Sequence, residues 1–377
     1  MHLKLWHRGF WYVSLSVMLL TASVYMVLTV LPQHLFSVGY DHLFATVCYG
    51  AFIAGMYLPG GLVARMVQDH RRNWVCIKTV VALAALFALF YFWGIHQPAL
   101  TIGICLLAGM LFGFAGMVIN STLILDTCES FQRTEASHGA AWFSRLALAI
   151  GPFLGFLIYG HCDVRTLMIS AAAVALLSAL FTGLVKFPFR APEELEHYYC
   201  LDRFFLVRGF PLYLNLLLIT TAIGMVLSTQ HTERFYLMML LGFLIAILAE
   251  KYVFANTELK SMTVTGCVLI AAAQTIIGLR PESTAIMVAA VFCGIGIGII
   301  GSRFLLFFIK LSKHCERGTS QSTFFLSWHT GLVLGLCLGY VVLNDRLVLD
   351  ISFGILVTAF LIYNYVVHPW YMHNKNR

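Results

Sequence analysis

Two segments of this chain repeat one pattern at the same distance of 317 − 133 = 184 positions. The repeated residues are an arginine and two glycines: Arg133, Gly151 and Gly155 in the first copy, and Arg317, Gly335 and Gly339 in the second. A repeat of half the chain length requires two similar structural units that share a seam. In apolar chains such a duplication is typical of transport proteins, whose binding sites lie near the seam.

The composition places both units in a membrane. Of 377 residues, 60% are hydrophobic and 11% are charged, which is too little polar surface for a soluble protein of this size. A helix needs roughly 20 apolar residues to cross about 30 Å of hydrocarbon, and backbone groups in lipid must pair within the segment. Twelve runs meet this requirement, so we predict an all-α membrane protein. The predicted spans are 10–34, 44–67, 74–95, 99–124, 137–160, 164–187, 209–229, 233–254, 260–279, 284–310, 319–343 and 348–368.

The basic residues predict the orientation of these spans. With a cytoplasmic N-terminus, four of the 24 lysines and arginines fall in outer loops and two fall within spans, so 24 − 4 − 2 = 18 lie inside. We therefore expect a protein of the cell's inner membrane with both termini in the cytoplasm. The net charge of +7 then reflects topology and requires no nucleic-acid partner.

A polar stretch in the middle of the chain predicts the boundary between two bundles. We expect an N-terminal six-helix bundle over 1–187, a cytoplasmic loop over 188–208 and a C-terminal bundle over 209–377. Three glycines of the fourth span recur in the tenth, where small residues let membrane helices approach closely. These are Gly109, Gly113 and Gly116, matched by Gly294, Gly298 and Gly301.

Three local patterns resemble the major facilitator superfamily, and in particular its drug:proton antiporter branch. A glycine-rich segment from Gly60 to Arg65 precedes Asp69, Arg71 and Arg72 between the second and third spans. Gly151, Pro152 and Gly155 resemble the Gly-Pro motif of the fifth helix, and Pro32 closes the first span. The resemblance implies alternating access, and it implies gating roles for these residues. The predicted gating residues are Asp69, Arg71, Arg72, Asp126, Glu250, Gly151, Pro152 and Gly155.

Two arginines within the spans are the strongest candidates for a functional site. A charged residue at the centre of a membrane helix costs roughly +2.5 to +3.5 kcal/mol on insertion scales and marks a functional site by default. Arg145 and Arg303 lie at similar predicted depths, one in each half, and could together bind a carboxylate, phosphate or sulfate group. The alternative is structural, with Arg145 paired to Glu250 and Arg303 paired to Asp126.

Further residues are candidates for lining a central cavity. His329 occupies the repeat position of Arg145, and its imidazole either carries a proton or is a hydrogen-bonded packing residue. The aromatic neighbours of these two positions would supply apolar surface to an amphiphilic solute. The remaining candidates are Trp142, Trp328, Tyr25, Gln33, Asn120, Thr220 and Thr221; ordinary helix packing is the alternative for each.

These observations favour a secondary transporter of a small organic or amphiphilic solute, with export suggested by the Gly-Pro motif and uptake of an organic anion as the alternative. We expect a monomer with no cofactor or metal. The one glycine pattern that resembles a dinucleotide site, Gly296–Gly301, lies inside an apolar span and therefore does not indicate a nucleotide cofactor. An intramembrane transferase that uses His329 is the rival from another class, although no catalytic motif accompanies this histidine. A receptor or scaffold is the third class, suggested by Ala64, which stands where the resembled loop carries an acid.

Overall fold

The structure is a computed structural model and describes residues 5–93, 97–187, 198–253, 258–342 and 344–375. Within these residues, twelve helices are long and apolar enough to cross a membrane, which confirms the predicted all-α membrane fold. We number them α1 to α12. Their bounds are Arg8–Val38, His42–Asp69, Arg72–Phe90, Pro98–Asp126, Ser130–His161, Val164–Gly183, Val207–Ser228, Glu233–Tyr252, Leu259–Leu279, Ser283–Leu311, His314–Val341 and Asp345–Asn374.

The predicted span ends differ from the observed helix ends where polar residues continue a helix. α5 begins seven residues before the predicted position 137, and α12 extends past position 368 to Asn374. Hydropathy marks where hydrocarbon ends, whereas a helix continues for as long as its backbone hydrogen bonds are satisfied. Conversely, α6 ends at Gly183 and not at position 187. The predicted ends at 95, 254 and 343 lie outside the described residues.

Four of the twelve helices are interrupted along their length. In α2 the regular helix ends at Tyr57 and resumes at Val63, after one turn of 3-10 helix at Gly60–Leu62. In α1 the helix pauses after Leu28 and resumes at Leu31, with Pro32 in the first turn of the second piece, where its missing N–H does no harm. α4 and α12 each contain one turn of π-helix, at Ile119–Leu123 and Tyr363–Val367. Such turns are rare and are frequent at functional sites.

The repeated glycines bring equivalent helices together in the two halves. A Cβ on Gly155 would lie 2.6 Å from the carbonyl oxygen of Met26, so this glycine allows α5 to pack directly on the backbone of α1. In the second copy, a Cβ on Gly335 would lie 2.1 Å from the carbonyl oxygen of Thr221, and α11 packs on α7 in the same way. The sequence repeat is therefore a repeat of helix packing.

The two halves contact each other at three levels. We call the end of the bundle with residues 70–71 and 312–313 the inner end, because the basic residues predict it to be cytoplasmic. There Ser130 Oγ lies 3.4 Å from Nε2 of His314. Halfway through, Tyr25 bonds to His329, and at the outer end the rings of Phe156 and Tyr236 stack with centroids 5.6 Å apart.

The division into two bundles at 188–208 stays a prediction, and residues 188–197 lie outside the described residues. The long contacts between the halves run along two helix pairs, α5 with α8 and α2 with α11. Sites shared by the halves therefore lie along these pairs, together with side chains of the adjoining helices.

Candidate functional site

A cluster of polar side chains lies buried between the halves, towards the inner end of α5, α8 and α10. We call it the Glu250 cluster. α5 contributes one face of the cluster, because helical spacing of three and four residues aligns its three side chains. The members are His138, Trp142 and Arg145 of α5, Glu250 of α8, and Ser302 and Arg303 of α10.

Both carboxylate oxygens of Glu250 contact two partners each. Oε1 accepts a hydrogen bond from Arg303 Nη2 at 2.8 Å and lies 3.2 Å from His138 Nε2. Oε2 accepts from Ser302 Oγ at 2.9 Å and from Trp142 Nε1 at 3.1 Å. The side chain is 15% exposed. A charge taken this far out of water persists only when its hydrogen-bonding capacity is met, as it is here.

Fewer hydrogen-bonding groups are paired in Arg145 than in Glu250. The residue is 2% exposed, and its guanidinium lies over the Trp142 ring at 4.1 Å. Its Nη2 donates to Ser302 Oγ at 3.2 Å, so it reaches Glu250 only through that hydroxyl. Nε and Nη1 are buried and, among the described residues, have no hydrogen-bond partner. The cluster thus holds two guanidinium groups against one carboxylate.

Glycines of α10 make the space for these large side chains. A Cβ on Gly301 would lie 2.6 Å from Arg145 Cδ and 3.0 Å from the Trp328 ring. A Cβ on Gly298 would lie 2.9 Å from the Trp142 ring. The glycine pattern of the tenth span therefore positions the predicted arginine and both predicted tryptophans against one helix face.

A second polar contact joins the halves near the middle of the membrane. The hydroxyl oxygen of Tyr25 on α1 lies 2.9 Å from Nδ1 of His329 on α11, and both residues are buried. The rings of Phe112 and Phe325 enclose the imidazole, with centroids 5.1 and 4.5 Å away. The structure therefore brings together two predicted cavity residues from opposite halves and leaves His329 apart from the Glu250 cluster.

Other predicted lining residues do not join either group. Asn120 lies in the π turn of α4 and donates to the carbonyl of Gly116 at 2.8 Å. Thr220 and Thr221 donate to backbone carbonyls of their own helix. Gln33 is half-buried in the outer piece of α1. Each of these positions matches the packing alternative.

The predicted gating residues at the inner end form ion pairs of two kinds, one between two helices and one within a single helix. Arg72 Nη1 lies 2.5 Å from Asp126 Oδ2, an ion pair between α3 and α4. Asp126 therefore faces Arg72, and Arg303 pairs with Glu250, which corrects the expected pairing of Arg303 with Asp126. Asp69 pairs with Arg65 in its own helix at 3.1 Å, and Arg71 is exposed.

The Gly-Pro motif of α5 acts through packing. Gly151 faces the backbone of Ala22 and the Cβ of Tyr25, and Gly155 faces Met26. Pro152 is buried inside the helix. These residues set how closely α5 approaches α1 and so help to hold Tyr25 beneath His329.

Sequence reasoning missed five residues of the interface between the halves. His138 and Ser302 belong to the Glu250 cluster, and the hydroxyl of Tyr57 lies 2.5 Å from that of Tyr213 and 2.7 Å from Thr330 Oγ1. Ser302 could have been suspected because it adjoins Arg303 in an otherwise apolar run. The tyrosines give no such signal, since tyrosine is common at membrane interfaces.

Comparison with known proteins supports the fold at low sequence identity. No family model matches the chain, and no curated protein matches its sequence. Its structure is similar to that of a mutant of the nucleoside transporter NupG, at 14% identity and a TM-score of 0.68, covering 94% of this chain and 98% of that one.

The human organic anion transporter MFSD10 (TETRAN) is similar to the same degree, at 14% identity and a TM-score of 0.69, with coverage of 94% and 98%. The chain therefore has the twelve-helix fold of major facilitator transporters and is an integral membrane protein. Both neighbours are named as transporters.

Proposed function

We propose that this chain is a secondary transporter that carries a small organic anion by alternating access of its two halves. The observation that carries the proposal is the buried Arg145, whose Nε and Nη1 have no hydrogen-bond partner among the described residues, within a cluster that holds two guanidinium groups and one carboxylate. The fold supports transport as the class of function, and one of its structural neighbours is named as an organic anion transporter.

The charge of the Glu250 cluster favours an anionic substrate. With Arg303 paired directly to Glu250, the charge of Arg145 has no carboxylate of its own. An uncompensated charge in a membrane is costly. A bound anion that pairs with Arg145 would remove this cost, and the pairing would stabilise the complex. The guanidinium presents a planar fork that suits carboxylate, phosphate or sulfate oxygens.

The apolar surroundings of Arg145 favour an organic anion over an inorganic one. Trp142 lies against its guanidinium, and Trp328 packs on the same glycine, Gly301. Aromatic surface beside a charged fork binds a solute with an apolar body and an acidic head. The amphiphilic solute expected from the sequence is the same kind of molecule.

Direction and coupling are finer parts of the proposal. Export is supported by the likeness of Gly151, Pro152 and Gly155 to the antiporter motif. We assign proton coupling, where it occurs, to the pair of Tyr25 and His329, since a proton on the imidazole would change a contact that links the halves. The protein would act as a monomer in the inner membrane with both termini in the cytoplasm.

The test compares two arginines of one cluster. The purified protein is reconstituted in liposomes, and exchange of labelled organic anions is measured for Arg145→Gln, Arg303→Gln and the control Arg165→Gln, which changes an exposed arginine at the outer end of α6. We expect Arg145→Gln to reduce exchange at least about tenfold and to leave the melting temperature unchanged or higher, because it removes an unpaired buried charge. Arg303→Gln should lower the melting temperature, because it breaks the direct pair with Glu250.

Two results would contradict the proposal. Normal exchange by Arg145→Gln would remove the substrate role of this arginine. In a thermal-shift screen of organic anions, hydrophobic cations, lysolipids and neutral nucleosides, stabilisation by cations, lipids or nucleosides alone would exclude an anionic substrate.

A further inference from the structure

The two arginines that open the sequence repeat line one cavity at the inner end of the protein. Arg133 begins the regular helix of α5, and Arg317 begins that of α11. The cavity has a volume of about 170 Å³ and lies between the halves. Its charged lining residues are Arg72, Asp126, Arg133, Asp202, Arg203 and Arg317.

The carboxylates of this cavity are engaged by other groups. Asp126 pairs with Arg72, and Asp202 lies 3.6 Å from Arg203 Nε. Asp202 also accepts a hydrogen bond from Thr319 Oγ1 at 2.8 Å. Among the described lining residues, four arginines therefore face two aspartates, which gives a charge of +2 from these two residue types.

Arg133 and Arg317 are the source of this excess charge. In the part of the chain that the structure describes, neither has an ion-pair partner, and the buried Nε of Arg133 has no hydrogen-bond partner. Each also lies near the N-terminus of a long helix, where the helix dipole favours a negative charge. Two helix N-termini and two free guanidinium groups thus converge from opposite halves.

We propose that this cavity is a binding site for one phosphate-type oxyanion, separate from the Glu250 cluster. Arginine and helix N-termini are the groups that proteins use for tetrahedral oxyanions. At roughly 30 Å³ for each water-sized group, the cavity of about 170 Å³ has room for about five or six such groups, so a single phosphate fits inside it. The ligand is either free inorganic phosphate or the phosphate of an acidic lipid whose tail remains outside.

The proposed anion would link the halves in one conformation. Because Arg133 and Arg317 come from different halves, both reach one anion only while the inner end is closed, as it is in this structure. A ligand that binds one state alone shifts the equilibrium towards that state. The oxyanion would therefore hold the inner end closed. This second step rests on the proposed transport cycle, whereas the binding itself does not.

Two native cysteines allow the site to be tested in the full-length protein. Cys315 lines the cavity and is exposed, and Cys162 is exposed at the opposite end of α5. Maleimide labelling of both thiols is followed by peptide mass spectrometry while phosphate is titrated against chloride at constant ionic strength. We expect phosphate to slow labelling of Cys315 and to leave that of Cys162 unchanged.

Variants assign the protection to the repeat arginines. Arg133→Gln and Arg317→Gln should each raise the phosphate concentration for half-maximal protection about tenfold or more, since each removes a charge-assisted contact. Arg165→Gln, at the outer end, should have no effect. If chloride protects Cys315 of the wild-type protein as well as phosphate does, the proposal is wrong, and this result does not depend on whether the variants fold. Unchanged phosphate protection of Cys315 in folded variants would also contradict it.

The source of the phosphate group is settled in lipid nanodiscs. Protection by inorganic phosphate in phosphatidylcholine assigns the site to the free ion. Protection that requires phosphatidic acid assigns it to a lipid headgroup, and protection by neither refutes the site. Labelling does not depend on transport, so a protein that fails in the exchange assay can still show this site, and the reverse also holds.

Discussion

The two most extensive helix contacts between the halves are equivalent by the sequence repeat. α5 packs on α8, and its repeat partner α11 packs on α2. The first contact contains Glu250, Arg145 and His138 and is charged. The second contains Tyr57 and Thr330, joined to Tyr213 of α7, and is neutral.

The difference shows that equivalent helix contacts of the repeat can carry side chains of different chemistry. A neutral hydroxyl group exchanges its partner for water at little cost, because the net value of such a hydrogen bond is about 1 kcal/mol. A buried carboxylate among guanidinium groups is strongly affected by the loss of any partner. Under the proposed transport cycle, the contact between α2 and α11 would open and close, and the contact between α5 and α8 would respond to the anionic substrate.

The largest expected effect comes from neutralising the acid of the charged contact. Glu250→Gln leaves Arg145 and Arg303 without their shared carboxylate, and we expect a loss of about 3–5 kcal/mol in the free energy of unfolding. The measurement is denaturant unfolding in detergent. Glu282→Gln is the control, since this acid is 74% exposed and its change should stay within about 0.5 kcal/mol. Equal losses for the two variants would remove the distinction between the contacts.

A smaller effect is expected from closing the space beside Arg145. In Gly301→Ala the new methyl group meets Arg145 and Trp328, and we expect a loss of about 1–3 kcal/mol with reduced anion exchange. Gly103→Ala is a matched control in α4, because its Cβ would meet no atom within 4 Å. That control should be neutral or up to about 1 kcal/mol more stable, given the higher helix propensity of alanine. A similar result for both would mean that Arg145 has room to move.

The smallest effect is expected in the neutral contact. Tyr57→Phe removes one hydroxyl group, while Tyr213 and Thr330 remain able to bond to each other or to water, so the expected loss is about 1 kcal/mol. Thermal unfolding of this variant is compared with that of Tyr252→Phe, in which the changed tyrosine is 71% exposed. A loss as large as that of Glu250→Gln would show that the neutral contact is no weaker than the charged one.

Much of the site followed from the sequence because membrane charges are rare. Arg145 and Arg303 were identified by their cost in lipid and Glu250 as a possible partner of Arg145, and the structure brings all three into one cluster. The partner choice was not available from the sequence. Asp126 and Glu250 are both acids near the inner ends of their helices, and only the helix arrangement decides that Arg303 reaches the second.

The sequence by itself determined the number of membrane helices and the duplication, because hydropathy and glycine spacing are local properties that lipid and close helix packing impose directly. Only the tertiary structure decided which polar groups meet. Tyr25 and His329 are separated by 304 positions, and Arg133 and Arg317 by 184, yet each pair faces one site. Such contacts depend on the relative orientation of the two halves. Many weak packing interactions together set this orientation, and it cannot be read from any single segment of the sequence.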